Sequence, residues 1–341
     1  MRCLILLTIV ITVISCHRES EQKFRIPAEW EPQDAVWLSW DDRRASNNQV
    51  ITQIIKNLEG TVPLKVVFPS DSSRQVALQI MDSLQVDSSA FESFIYPGAT
   101  SWIRDYGAVF AIDSTQELAV VDFKWNQYGQ IDWVYERWPA YFEGAGLDSI
   151  KSVVAHAPIS KIDSLMGIST GAIHHKIDIT LEGGSFEYNG NGVLIQSEAV
   201  TLQRNPGKTK EEIEAAYQAF GIEKVIWLPQ GVVEDEHFEM LIDNKYMVGG
   251  TGGHTDEFVR FANENTILLA WIEEDEIEEH PLNRENYDRM SKNYEILKKA
   301  TNIYGEPFQI IKVPLPRPIE TAITVVAERG PMDRKEKNSY H

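Results

Sequence analysis

From Phe24 onward, short runs rich in β-branched and aromatic residues alternate with segments whose apolar residues repeat at helical spacing. Strands are expected at 35–40 (AVWLSW), 64–68 (LKVVF), 117–125 (ELAVVDFKW), 192–200 (GVLIQSEAV), 224–228 (KVIWL) and 266–272 (TILLAWI). Helices are expected between them, near Asn47 to Leu58, from Thr209, and near Tyr287 to Ala300. The second has the clearest start: in Thr209-Lys-Glu-Glu212 the threonine hydroxyl can accept from a free amide while Glu212 returns the bond. Ile213, Ala216, Tyr217 and Phe220 then line one face, and Gly221 can close the end in a left-handed conformation. This alternation means an α/β protein. No Pro/Gly/Ser-rich linker divides it, so one domain over 24–341 is the simplest organisation.

The residues before this domain have a different character. MRCLILLTIVITVISC carries one positive charge at Arg2 and an apolar run from Leu4 to Ile14, then gives way to polar residues, which is the pattern of a secretory signal over 1–16. The run is shorter than the roughly 20 residues of a transmembrane helix. Its end, Val13-Ile14-Ser15-Cys16, resembles a bacterial lipobox, so Cys16 is expected to carry lipid and residues 17–23 to form a polar tether. His17 after the cysteine points to the outer membrane, and the expected address is the bacterial cell envelope. The sequence has two cysteines, Cys3 and Cys16, so the 24–341 region contains neither disulfide nor thiol and relies on its core for stability. A formal charge of -19 argues against nucleic acid or an anionic membrane surface as a partner, since either needs a basic face. The only membrane contact expected is through the lipid at Cys16, and a small cationic ligand suits the charge.

Three segments read as chemistry: WIRDYGAVF (102–110), LEGGSFEYNG (181–190) and TGGHTDEFVRF (251–261). Each sets a carboxylate near glycine, which lets the backbone turn sharply and approach a ligand closely. Asp105, Glu182 and Asp256 are therefore candidates to line one pocket with His254. Carboxylates that share a site raise one another's pKa unless a cation joins them, and a guanidinium, with its planar fork of donors, fits them best. Plainer readings stand beside this one. Asp105 next to Arg104 reads also as a buried ion pair, and EEDEIEE (273–279) reads as a solvated loop. His174 and His175, near Asp178, point to opposite faces if they lie on a strand, which argues against a metal. The GGTGG run lacks the Gly-Lys-Ser/Thr of a phosphate loop, so no nucleotide is implied.

In this order, W-x-R-D-x-G, L-E-G-G-S and G-H-x-D resemble the agmatine deiminase and bacterial peptidyl-arginine deiminase family. IPAEWEPQDAVWLSW, RNPGKTKEEIE and KVIWLPQG resemble flanking stretches of that family, and the resemblance runs from about Arg25 to the end. It implies a pentein-type fivefold α/β propeller of repeated strand-helix units with the active site in its central channel. It also implies hydrolysis of a guanidine to a ureido group and ammonia, with no metal and no cofactor. By the same resemblance, Asp105 and Asp256 would hold the guanidinium, with Trp102 and Arg104 completing the substrate-binding set. His254 would act as general acid and base, and Glu182 would orient the histidine or the substrate. The substrate would be agmatine or an arginine-containing peptide, and an envelope address favours the peptide.

The family's cysteine nucleophile follows a stretch resembling S-Y-x-N-F-Y near the C-terminus, whereas this sequence reaches Asn338-Ser339-Tyr340-His341 and stops. The expectation is a truncated chain that lacks the thiolate and leaves the last propeller blade incomplete. RKEKNSYH reads otherwise as a natural polar tail. Two further function classes remain: a guanidine-binding module without catalysis, and a metal-dependent hydrolase with His254 and Asp256 as ligands.

Overall fold

The computed structural model describes residues 24–237 and 240–321. The leader, Cys16, the 17–23 tether and the RKEKNSYH tail lie outside the described residues. Strands β1 (Val36–Ser39), β2 (Leu64–Phe68) and β3 (Phe91–Ile95) form a parallel sheet joined by helices α1 (Ala45–Leu58) and α2 (Asp71–Ser83). After a short helical turn, α3 (Ile103–Tyr106), a different unit begins and recurs. In it, β4 (Val109–Ile112) pairs antiparallel with β5 (Leu118–Lys124), and the chain passes through α4 (Ile131–Arg137), α5 (Leu147–Ala155) and α6 (Ile162–Thr170) to β6 (Ile173–Thr180), parallel to β5.

The next sheet repeats the plan. β7 (Phe186–Tyr188) and β8 (Val193–Ser197) make the antiparallel pair, α7 (Glu198–Arg204) and α8 (Lys210–Tyr217) cross over, and β9 (Lys224–Leu228) lies parallel to β8. A small hairpin, β10 (Met240–Ile242) and β11 (Tyr246–Val248), intervenes. Then β12 (Val259–Asn263) and β13 (Thr266–Trp271) pair antiparallel, and α9 (Pro281–Leu297) carries the chain to β14 (Gln309–Pro314), parallel to β13. Among the described residues, the result is an α/β fold of five small sheets. Apolar side chains from facing elements fill the spaces between them: one cluster joins Ala119, Ile179, Leu194 and Ile213, and another joins Ile195, Val259, Leu269 and Met290.

Local chemistry explains the clearest elements. At the start of α8, Glu212 N donates to Thr209 Oγ1 at 3.2 Å and Thr209 N donates to Glu212 Oε2 at 2.8 Å, the reciprocal cap its sequence announces. Ile213, Tyr217 and Phe220 are buried, and Gly221 turns the chain at φ +75°. Two expected elements end elsewhere. The run 192–200 is a strand only to Ser197, because Glu198 opens α7. The last long helix starts at Pro281, six residues earlier than its apolar repeat suggests: proline suits the first helical turn, and His280 Nδ1 accepts from Leu282 N at 3.2 Å. EEDEIEE forms exposed and half-exposed turns, so its charges stay wet. Among the described residues, no helix is long and apolar enough to cross a membrane.

Candidate active site

Each of the three carboxylate-bearing segments sits at the same place in the repeated unit, just ahead of the first strand of an antiparallel pair. Asp105 lies in α3 before β4; Glu182 caps a 3-10 turn (Gly183–Ser185) before β7; Asp256 lies in a 3-10 turn (Thr255–Glu257) before β12. The Gly183–Ser185 turn packs against both of the others. Gly184 N donates to Asp105 Oδ1 at 3.1 Å, and Thr255 Oγ1 donates to Gly184 O at 3.0 Å.

Gly184 marks the point of convergence. A Cβ there would lie 2.7 Å from Asp256 Oδ2, 2.7 Å from His254 Nδ1 and 2.8 Å from Asp105 Oδ1, so only glycine lets the three groups come together. His254 lies between two acids, with Nδ1 3.6 Å from Asp105 Oδ1 and Nε2 3.5 Å from Glu182 Oε2. The structure thus brings Asp105, Glu182, His254 and Asp256 into one cluster. Trp102 is 50% exposed at the N-terminal end of α3. Arg104 does not pair with Asp105: its guanidinium reaches Glu29 at 2.6 Å, and its Nε donates to Gly183 O at 3.1 Å. Glu29 also binds Arg260, which in turn contacts Glu187 at 2.5 Å.

Three residues that sequence reasoning passed over hold the cluster. Arg204, fully buried, donates from Nε to Glu182 Oε1 at 2.9 Å and from Nη2 to Thr251 O at 2.5 Å, tying the LEGG turn to the histidine loop. Its one sequence signal was its place at the head of RNPGK. Asp235 accepts from the backbone amides of Thr251, Gly253 and His254, the last two at 2.8 Å, and so shapes the glycine run. In sequence it is one acid among several in VEDEH. Tyr128 Oη donates to Asp105 Oδ2 at 2.8 Å, across a separation of 23 residues.

The charges balance unevenly. Burial pulls the His254 imidazole down, but Glu182, Asp105 and Asp256 together outweigh it and hold its pKa above the ordinary value. Burial pushes Glu182 up, yet Arg204 and His254 more than compensate, and it stays below the ordinary carboxylate range. For Asp105 and Asp256 burial wins, and both sit above that range despite the nearby imidazole. Two carboxyl groups are therefore held short of a full complement of positive partners, a site suited to a cationic guest.

His174 and His175 form no metal site with Asp178. His174 lies against Gly167 of α6, whereas His175 packs between Phe24 and Phe220. Among the described residues, no group of three or more His, Cys, Asp or Glu is arranged to hold a metal ion.

The family model for the Porphyromonas-type peptidyl-arginine deiminase matches residues 25–332. An agmatine deiminase of Pseudomonas syringae pv. tomato is 28% identical over 310 residues, covering 87% of this chain and 72% of that protein. One from Medicago truncatula is 26% identical over 307 residues, with the same coverage. Among solved structures, agmatine deiminase of Enterococcus faecalis aligns with a TM-score of 0.65 at 24% identity, over 87% of this chain and 72% of that one. A C. jejuni agmatine deiminase with substrate bound aligns with a TM-score of 0.64 at 23% identity, over 88% of this chain and 76% of that one. The structural likeness speaks for the fold, and the sequence match over 25–332 speaks for descent: the chain belongs to the family of agmatine deiminases and Porphyromonas-type peptidyl-arginine deiminases.

Proposed function

We propose that this protein recognises a guanidinium group and that its site serves hydrolysis of the guanidine to a ureido group with release of ammonia. The observation that carries this reading is the convergence of Asp105, Asp256 and His254 on Gly184, with Glu182 behind the imidazole. Asp105 and Asp256 grip the planar cation through its N–H donors. Glu182, fixed by Arg204, holds the imidazole, and His254 protonates the departing nitrogen and then takes a proton from the water that supplies the ureido oxygen. Trp102 and Arg104 complete the binding set at the exposed side. By resemblance to the family, the reaction proceeds without a metal or organic cofactor.

By resemblance to the family, a cysteine thiolate attacks the guanidine carbon and splits the substitution into two steps. The sequence has only Cys3 and Cys16, both outside the described residues. That observation favours a second reading, in which this chain is a guanidine-binding envelope lipoprotein without catalysis. The fivefold propeller belongs to the proposal as well. Three of the described three-stranded sheets follow one plan, an antiparallel pair with a third strand parallel to its second member, and this repetition supports a ring of like units.

Isothermal calorimetry with agmatine and with an arginine-containing peptide tests recognition: binding to the wild type and its loss in Asp256→Ala are expected, and no heat from either ligand ends the reading. A ureido assay on the full chain then separates enzyme from binding module. Lipid attachment at Cys16 is tested by fatty-acid labelling of the wild type and Cys16→Ser. An envelope address, if labelling supports it, favours arginine in peptides over agmatine.

A further inference from the structure

Tyr128 reaches the cluster from a turn that L-residues rarely adopt. Gln127, Tyr128 and Gly129 are consecutively left-handed, with φ of 56°, 59° and 63°. For the first two, a side chain makes that conformation unfavourable, and such strain persists only where surrounding contacts over-determine it. Here four contacts do so. Gly129 N donates to Asn126 Oδ1 at 2.9 Å, and Gln203 Nε2 donates to Gly129 O at 3.0 Å. His237 Nε2 lies 2.9 Å from Tyr128 O, and Gln130 Nε2 donates to Gly250 O at 2.9 Å. Gln203 is the neighbour of Arg204, and Gly250 belongs to the histidine loop, so the turn is anchored to segments that build the rest of the site.

The strained turn delivers one polar atom. Tyr128 Oη meets Asp105 Oδ2 at 2.8 Å while the ring stacks edge-on to Trp125, with centroids 4.9 Å apart. Burial and the Asp105 charge hold the phenol well above its ordinary range, so it remains a donor. With Tyr128 on Oδ2 and Gly184 N on Oδ1, the plane of the Asp105 carboxylate is fixed.

We propose that Tyr128 is a positioning residue for the guanidine site, its hydroxyl locking the orientation and the charge of Asp105 so that the carboxylate is ready for an incoming cation. This rests on the guanidine-site reading in naming the guest, but the contact it describes exists without any guest. The groups facing Asp105 are His254 and Tyr128, which favour its charge, and Glu182 and Asp256, which oppose it. Removing the phenol oxygen takes away one favourable partner, leaves His254 and the Gly184 amide, and keeps burial and both acids in place.

The test is a ligand-free titration of the Asp105 carboxyl carbon by 13C NMR, assigned with Asp105→Asn, in wild type and Tyr128→Phe, which keeps the ring and the turn. The Asp105 midpoint is expected to rise by about 1 to 2 pH units, the weight of one hydrogen bond to a charged group. Gln203→Ala, which frees the Gly129 carbonyl but keeps the hydroxyl, is expected to move it the same way by a smaller step. An Asp105 midpoint unmoved in folded Tyr128→Phe overturns the proposal; if that variant does not fold, an unmoved midpoint in Gln203→Ala does so. Agmatine calorimetry adds the functional arm: at pH below both midpoints, Tyr128→Phe should weaken binding about tenfold for each pH unit by which the Asp105 midpoint rises, and binding should recover above them. A loss that is equal at every pH means a packing role only and rejects the proposal. Wild type that binds no guanidine, combined with a raised Asp105 midpoint in Tyr128→Phe, fails the site reading while upholding the role of Tyr128.

Discussion

Arg204 and Glu182 are both fully buried, so each makes the other tolerable. Breaking one side of such a pair leaves a charge without water or partner. Arg204→Met should lower stability by about 3–5 kcal/mol in urea denaturation, whereas Glu182→Gln with Arg204→Met together should cost less, because no lone charge remains. The same carboxylate governs His254, whose pKa lies above the ordinary 6.5 because three acids outweigh burial. A raised native pKa means that the folded chain holds the imidazolium more tightly than the unfolded chain does. This contribution to stability is complete below pH 6.5 and fades as pH rises through the native midpoint. A 1H–13C titration of the His254 ring should therefore show a midpoint above 6.5, and in Glu182→Gln the midpoint should fall. A midpoint unchanged by that substitution would contradict the imidazole–carboxylate coupling.

At the level of elements, the site comes from repetition. Three antiparallel pairs are each preceded by a short helical turn, and each turn carries one of the acids. Units that pack side by side in the same orientation bring equivalent turns to one place, so segments far apart in sequence meet without a long connecting loop. Their closeness leaves no room for a side chain at the middle turn. Gly184→Ala should abolish agmatine binding in calorimetry, since its methyl carbon would stand 2.7 Å from both Asp256 Oδ2 and His254 Nδ1. The far-UV spectrum should be kept, because β7, β8 and the buried Phe186 and Leu194 do not depend on that position. The acids in these turns were legible as sequence because glycine and carboxylate neighbour each other in each segment. Tyr128, Arg204 and Asp235 were not, since no spacing relates them to the groups they serve.

For the molecule as a whole, the chain's formal charge of -19 surrounds the proposed cation site. Such a field draws a positive ligand toward the protein and is screened by salt. The association rate of agmatine should fall as ionic strength rises from about 0.01 to 0.15 M, where the Debye length shrinks from roughly 30 to 8 Å, with the dissociation rate changing much less. Stopped-flow measurement at several salt concentrations checks this, and a salt-independent association rate would show that the net charge serves solubility alone.

Local physics let the sequence determine a good deal of this protein. Alternating apolar runs, a capping box and turn residues act within a few positions, and they placed β2, β9 and the start of α8 where the structure has them. They also marked four groups, Asp105, Glu182, His254 and Asp256, as chemistry. Only the tertiary structure decided that Arg104 turns to Glu29, that Arg204 neutralises Glu182 and that a left-handed turn sends Tyr128 to Asp105. The bonds joining the site's turns span 79 and 71 residues, and at such separations a partner is chosen by how sheets pack and which charges they bury together, not by any pattern along the chain.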